Sequence, residues 1–177
     1  MKKCSIIIGS LRKNSNCMAV GKVIAESLEK ADFEVVFPEI GNLPLFSEDF
    51  EANPPKEWTA FRGEIASSDC LIFITPEYNR GYTACLKNAL DIASRPQGQS
   101  VWSGKRAGVI SVSPGKIGGA LALNQLKQVL SFLNVKQLHQ PEMYIQADAS
   151  FSGGMISEGL TKDYIKSYAQ KYIDFVS

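Results

Sequence analysis

The run Cys70-Leu71-Ile72-Phe73-Ile74-Thr75 restricts the fold of this chain more than any other segment. It is apolar until its final threonine, with no polar residue alternating along it. A strand with this pattern must be covered on both faces, which is typical of the centre of a parallel sheet. The run therefore predicts a central strand with helices packed on both sides of the sheet.

Short apolar runs alternate along the chain with segments of helical periodicity, the pattern of parallel βαβ units. We predict five strands, at residues 3–8, 33–38, 70–75, 106–112 and 135–138. We predict helices at residues 15–30, 57–67, 83–93, 118–133 and 160–176. The sequence thus predicts an α/β fold with a three-layer, doubly wound, five-stranded parallel sheet, in a single domain spanning residues 1–177.

Two predicted helices carry stripes of large apolar side chains, which pack either in the core or at an interface. The stripe Leu160, Tyr164, Tyr168 and Tyr172 is expected to pack in the core. The stripe around Leu126 and Leu130 could equally face the core or a subunit interface. The sequence leaves that second choice open.

The composition excludes several classes of function. The 19 basic and 18 acidic residues leave a formal net charge of +1, which gives no electrostatic basis for binding nucleic acid or a membrane surface. No apolar run is long enough for a membrane span or a signal peptide, so we expect a cytoplasmic protein. The cysteines are widely spaced and His139 is the only histidine, so we expect no metal site, no disulfide framework and no histidine-based triad.

The turn after the first strand carries the residues of an anion site. Gly9 is followed by Ser10, Arg12 and Ser15 just before the first predicted helix. The first N–H groups of a helix lack partners and carry partial positive charge, to which a guanidinium and two hydroxyls add donors. The turn predicts either a site for one phosphate group or a serine-capped turn that binds nothing. It has neither the three glycines of a dinucleotide fingerprint nor a Walker motif.

The turns after the third and fourth strands supply further groups. Pro76, Tyr78, Asn79 and Gly81 can present a ring-stacking surface beside backbone donors, although an ordinary proline turn would also explain them. The glycines of the loop from Ser111 through Gly119 allow close backbone approach to a ligand, although the loop could equally be a glycine-rich helix start. All three turns fall on the carboxyl edge of the predicted sheet, where such folds bind ligands. Together they predict flavin mononucleotide (FMN), with one phosphate, one ribityl chain and one flat ring.

Three motifs carry a specific resemblance. They are Gly9-Ser10-Leu11-Arg12-Lys13 with Ser15, Thr75-Pro76-Glu77-Tyr78-Asn79, and Leu86-Lys87-Asn88-Ala89-Leu90-Asp91. From about residue 3 to residue 145 the chain resembles the NAD(P)H-dependent FMN reductases, a flavodoxin-like family that includes bacterial quinone, chromate and azo reductases. The resemblance implies a phosphate site at Ser10, Arg12 and Ser15. It also implies that Pro76, Glu77, Tyr78 and Asn79 border the ribityl chain and ring, with Ser113 and Gly115 near the ring edge.

The chain departs from the family pattern at three places. Cys17 stands where members commonly carry asparagine, and Arg80-Gly81-Tyr82 stands where a small residue and proline often precede a glycine. Ile92 replaces a frequent tryptophan. In relatives these positions face the substrate or the partner subunit, so they bear on acceptor preference and assembly.

The resemblance implies a reductase that passes hydride from NAD(P)H through FMN to a small-molecule acceptor, such as a quinone, a flavin, an azo compound or a metal oxyanion. We assign no catalytic residue, because the flavin supplies the chemistry. Family members are usually homodimers or homotetramers, so we expect one of these assemblies. A flavodoxin-like single-electron carrier and a non-catalytic flavin-binding module are the alternatives; the balanced charge disfavours the carrier, which generally docks through an acidic surface. The sequence leaves open the choice between NADH and NADPH.

Overall fold

A mostly parallel sheet forms the middle layer of the computed structural model, which describes residues 1–177. Its strands are β1 (Lys2–Ile8), β2 (Phe33–Val36), β3 (Cys70–Thr75), β4 (Arg106–Ser113) and β5 (Lys136–Gln137), in the spatial order β2-β1-β3-β4-β5. Every residue of β3 is buried, as its apolar sequence predicts. The strand order reverses between β1 and β3, so the carboxyl edge of these strands is the expected ligand site.

Helices cover both faces of the sheet, which confirms the predicted three-layer fold. They are α1 (Asn16–Lys30), α2 (Lys56–Ser67), α3 (Ala84–Ser94), α4 (Ala120–Phe132) and α5 (Leu160–Val176). One core lies between the sheet and α1 with α5, and the other lies between the sheet and α2, α3 and α4. Successive strand residues point to opposite faces, so Ile6 enters the first core and Ile7 enters the second.

The edge beyond β4 differs from the prediction. The predicted fifth strand at 135–138 is present only as the short β5, which pairs with the start of β4. A further strand, β6 (Met143–Gln146), pairs in parallel with the second half of β4 and was not predicted. Pro141 lies between the two segments and has no N–H for a sheet ladder, so two short strands share the fifth position. His139 is exposed in the connection between them.

The two apolar stripes have different outcomes. Leu126 and Leu130 are fully buried in the core that α4 shares with α2 and α3, which favours core packing. In α5 the prediction of core packing is correct for Tyr168 and Tyr172 and wrong for the first turns, where Leu160 is 90% exposed and Tyr164 is 45% exposed. An unpredicted hairpin, β7 (Phe151–Ser152) and β8 (Met155–Ile156), precedes α5. No helix has the length and apolarity needed to cross a bilayer.

Candidate functional site

A cleft of about 210 Å³ opens at the carboxyl edge of the sheet, between the turns that follow β1, β3 and β4. It brings together most of the predicted site residues, namely Ser10, Arg12, Ser15, Pro76, Glu77, Tyr78 and Ser113. Asn16, Cys17, Val112 and Pro114 complete its lining. Two predicted residues, Asn79 and Gly115, lie outside the lining, so their predicted roles remain predictions.

Gly9 joins the first turn to the neighbouring strand and helix. Its N–H donates to the carbonyl of Ile74 at 2.8 Å, and its carbonyl accepts from the hydroxyl of Thr83 at 2.7 Å. A Cβ at this position would lie 3.2 Å from the Ile74 carbonyl oxygen and 3.2 Å from the Leu86 side chain. A side chain here would therefore push β1 away from β3 and α3, which explains why the turn begins with glycine.

The start of α1 presents uncommitted hydrogen-bond donors to one end of the cleft. Ser15 caps the helix by accepting from the N–H of Met18 at 3.3 Å, which leaves its own hydroxyl proton free to donate. The N–H groups of Asn16 and Cys17 have no carbonyl acceptor in the chain. Arg12 also forms no ion pair. A free guanidinium beside free helix amides fits a phosphate group.

Cys17, at the family's usual asparagine position, forms part of the cleft wall. The side chain is buried, and this burial raises the pKa of the thiol to about 12. The thiol is therefore neutral near pH 7 and adds no negative charge to the end of the cleft that fits a phosphate. A buried neutral thiol is also a poor nucleophile.

Glu77 lines the cleft, but its carboxylate caps α4. Oε2 accepts from the N–H groups of Leu121 and Ala122, both at 3.1 Å, and Oε1 pairs with Arg80 at 3.1 Å. The helix has no side-chain cap of its own, because Gly119 occupies its N-cap position. The carboxylate thus satisfies two orphan amides, complements the helix dipole and joins the second turn to the third.

This capping role was missed by the sequence analysis. The available signal was the pair Gly118-Gly119, which precedes α4 and leaves that helix without a local cap. Glu77 and α4 are more than forty residues apart, so spacing could not identify the partner.

The second turn is a tight hairpin. Tyr78 and Gly81 exchange backbone hydrogen bonds of 2.9 Å in both directions. Between them Asn79 and Arg80 have φ values of 50° and 68°, the left-handed conformation that a two-residue type I′ turn requires. Asn79 therefore lies at the exposed tip of the hairpin, while Tyr78, which is 53% exposed, stands at the mouth of the cleft.

Close backbone packing holds the third turn. The hydroxyl of Ser111 donates to the carbonyl of Gly118 at 2.8 Å, and the Ser113 hydroxyl accepts from the N–H of Gly115 at 3.3 Å. Gly118 has a φ of 60°, and a Cβ there would lie 2.8 Å from the carbonyl carbon of Tyr144 in β6. The approach of β6 therefore requires glycine at this position.

The motif at residues 86–91 has a structural role outside the cleft. Asn88 accepts from the N–H of Phe46 at 2.8 Å and donates to the carbonyls of Leu43 and Pro44, both at 3.2 Å. It thereby fixes the long connection between β2 and α2 against α3. Ile92, at the family's frequent tryptophan position, is buried in the core beneath α3. That departure therefore changes core packing.

The model of the NADPH-dependent FMN reductase family matches residues 3–150. The chain belongs to the NADPH-dependent FMN reductase family. A quinone reductase from Pseudomonas putida is 43% identical over 171 residues, which cover 96% of this chain and 90% of that protein. A 2-hydroxy-1,4-benzoquinone reductase from a Burkholderia species is 42% identical, with 98% and 96% of the two chains covered.

A solved structure extends the similarity to the whole fold. FerB, a flavoenzyme NAD(P)H:(acceptor) oxidoreductase from Paracoccus denitrificans, superposes with a TM-score of 0.91 at 36% identity, covering 99% of this chain and 97% of that one. These relationships confirm the predicted flavodoxin-like fold and the predicted class of enzyme. The chain is an NAD(P)H-dependent oxidoreductase with FMN as its cofactor.

Proposed function

We propose that this enzyme uses NAD(P)H to reduce quinones, with FMN held in the 210 Å³ cleft. The observation that carries the proposal is the meeting, in one cleft, of the free donors of Arg12 and Ser15 with the aromatic side chain of Tyr78. FMN, when bound, accepts hydride from a nicotinamide and passes electrons to an acceptor. The quinone reductases of Pseudomonas putida and Burkholderia support quinones as the acceptor class.

Each side of the cleft has a separate task in this proposal. Ser10, Arg12 and Ser15 would bind the phosphate, because their donors have no other acceptor. Pro76, Glu77 and Tyr78 would border the ribityl chain and ring on one side, and Ser113 on the other. Glu77 would act by holding the second and third turns together, since both its oxygens already accept hydrogen bonds.

The size of the cleft bears on the choice of acceptor. Its volume of about 210 Å³ lies below the roughly 300–1,000 Å³ typical of sites that enclose a small molecule. A flavin seated there would leave part of its ring outside the cleft, within reach of solvent. We therefore propose that several acceptors share one open ring face with the nicotinamide, so the kinetics should be ping-pong.

A spectroscopic experiment tests this function. FMN-loaded protein is mixed anaerobically with NADH or NADPH, and benzoquinone is then added. The proposal expects the visible flavin absorption to bleach and then to return. Bound FMN that neither nicotinamide bleaches would instead indicate a single-electron carrier, and protein unable to take up FMN would indicate a non-catalytic module.

We propose a homodimer or homotetramer in solution. Three large apolar side chains near the cleft, Tyr78, Ile117 and Leu121, are exposed, and a second copy would cover them. Light scattering coupled to size exclusion measures the mass directly. A mass of one 19.4 kDa chain would reject this assembly.

We also propose that residues 1–177 act as one domain, because both cores pack against the same sheet.

We propose a cytoplasmic location, since all four cysteines are unpaired, which suits a reducing compartment.

A further inference from the structure

Two cysteines lie side by side near the end of the sheet that is farther from the FMN cleft. Cys4 of β1 and Cys70 of β3 are direct partners in the parallel register, and both face the core shared with α1 and α5. Cys4 is 0% exposed and Cys70 is 2% exposed. Gly9 at the cleft is five residues beyond Cys4, or roughly 16 Å along an extended strand.

The two thiols are neighbours on one face of the sheet, and each shifts the pKa of the other. The pKa of Cys70 is lowered chiefly by Cys4, and the pKa of Cys4 is raised chiefly by Cys70. The Cys70 thiol also lies 3.9 Å from the carbonyl oxygen of Lys3, to which it donates. The hydroxyl of Tyr172 lies 3.6 Å from the Cys4 sulfur and donates to the Leu71 carbonyl at 2.8 Å, so it holds the α5 side of the pair in place. Of the two thiols, Cys70 is therefore the more acidic and Cys4 the less acidic.

A surface cleft reaches one member of the pair. Its volume is about 300 Å³, and Cys70 forms part of its lining together with Lys2, Asp69, Gly104, Arg106, Val176 and Ser177. Cys4 is not part of that lining. Of the two cysteines, only Cys70 therefore borders a cleft that opens to solvent, and it is the one nearer to an oxidant that enters there. Among the charged groups of this lining, Asp69 raises the pKa of the Cys70 thiol and Lys2 lowers it.

The strand geometry permits a bond between the two sulfurs. Neighbouring strands lie about 4.8 Å apart, and Cα separations of about 4.4–6.8 Å accommodate a disulfide. The Cβ atoms of a disulfide approach to about 3.5–4.5 Å, which is closer than the strand spacing, so the strands must adjust locally. Disulfides that form under such constraint are more readily reduced than unstrained ones.

We propose that Cys4 and Cys70 form a reversible oxidation site, at which hydrogen peroxide converts the two thiols to a disulfide between β1 and β3. The Cys70 thiolate attacks one peroxide oxygen and the O–O bond breaks, which leaves Cys70 sulfenic acid and a hydroxide that is protonated to water. The Cys4 sulfur then attacks the sulfenic sulfur, the S–O bond breaks, and the Cys4 proton leaves with the hydroxyl as a second water. One peroxide is reduced as two thiols are oxidised, and a dithiol reductant reverses the change.

The other two cysteines provide an internal comparison. Cys17 is buried with a raised pKa, and Cys85 is partly buried with its thiol 3.7 Å from the carbonyl of Gly9. Both lie near the FMN cleft, and they are not partners in the sheet register. An oxidation confined to the pair of Cys4 and Cys70 is therefore distinguishable from general thiol oxidation.

The experiment uses the FMN-loaded full chain, a small excess of hydrogen peroxide and peptide mapping without reduction. We expect the number of free thiols to fall from four to two and the map to contain one cross-linked peptide pair with Cys4 and Cys70. Dithiothreitol should restore all four thiols.

Two variants serve as controls. Cys85→Ser should give the same cross-link, and Cys70→Ser should give none while leaving Cys4 as a thiol. The wild-type map alone decides the matter if Cys70→Ser fails to fold. A cross-link between Cys17 and Cys85 only, oxidation of Cys70 without a cross-link, or four intact thiols would each overturn the proposal.

Discussion

Replacing Glu77 with alanine tests whether this residue of the second turn acts mainly as the cap of α4. The substitution removes the acceptor of two backbone N–H groups at the start of the helix, those of Leu121 and Ala122. Leu121 is 43% exposed, so water can replace the lost bond there, whereas Ala122 is fully buried and its N–H would lose its partner. The ion pair with Arg80 would also disappear.

The magnitude follows from these contacts. Loss of a helix cap costs about 0.5–2 kcal/mol, and a buried N–H left unsatisfied costs about 1–3 kcal/mol. The Arg80 side chain is 66% exposed, so its ion pair adds well under about 1 kcal/mol. We expect Glu77→Ala to lower the free energy of unfolding by about 2–3 kcal/mol. Glu77→Gln keeps an acceptor but loses the charge that complements the dipole, so about 1 kcal/mol is expected.

Urea denaturation of the apoprotein measures this loss without any contribution from FMN. Arg80→Ala is the matched control, because it removes only the exposed ion pair and should change the free energy of unfolding by less than about 0.5 kcal/mol. If Glu77→Ala were as stable as Arg80→Ala, the carboxylate would not be capping the helix. A loss of FMN affinity with unchanged stability would assign Glu77 to the cofactor instead.

Three further predictions concern the cleft and its support. Arg12→Ala should weaken FMN binding by about 1.5–3 kcal/mol, roughly ten- to a hundredfold, because one charge-assisted phosphate contact is lost. Titration followed by flavin fluorescence measures the affinity, and an unchanged affinity would show that Arg12 does not contact FMN. Asn88→Ala should lower the free energy of unfolding by about 2–4 kcal/mol, because the backbone groups of residues 43, 44 and 46 lose their hydrogen bonds to this side chain. Urea denaturation measures the loss, and a loss below about 1 kcal/mol would contradict the prediction. Gly118→Ala should destabilise the protein by more than about 1 kcal/mol, since its Cβ would meet Tyr144 at 2.8 Å; a thermal melt unchanged from wild type would show that the turn has room.

The sequence predicted the centre of the fold more accurately than its edge. The apolar run of β3 requires cover on both faces wherever it occurs, so its position in the sheet follows from local composition. The fifth position is different, because β5 and β6 are short and separated by Pro141, and only their pairing with β4 makes them strands. The exposure of Leu160 likewise depends on where α5 meets the sheet, which helical spacing does not encode.

The candidate site shows the same distinction. Sequence alone indicated which residues gather at one edge, because parallel strands end together, and most of the predicted residues line the cleft. It could not indicate what each side chain does there. Glu77 has its partner in α4, and Asn79 is carried to the tip of a hairpin by backbone conformation. Both outcomes depend on contacts between distant parts of the chain.

A crystal structure of the protein with bound FMN would show which groups hold the cofactor. We predict that the phosphate lies within hydrogen-bonding distance of Ser10, Arg12 and Ser15, and that the ring lies between the turns that carry Tyr78 and Ser113. FMN bound in the neighbouring 420 Å³ cleft beside Phe37, which Ser10 and Arg12 also line, would contradict this prediction, because Ser15, Tyr78 and Ser113 would then remain free.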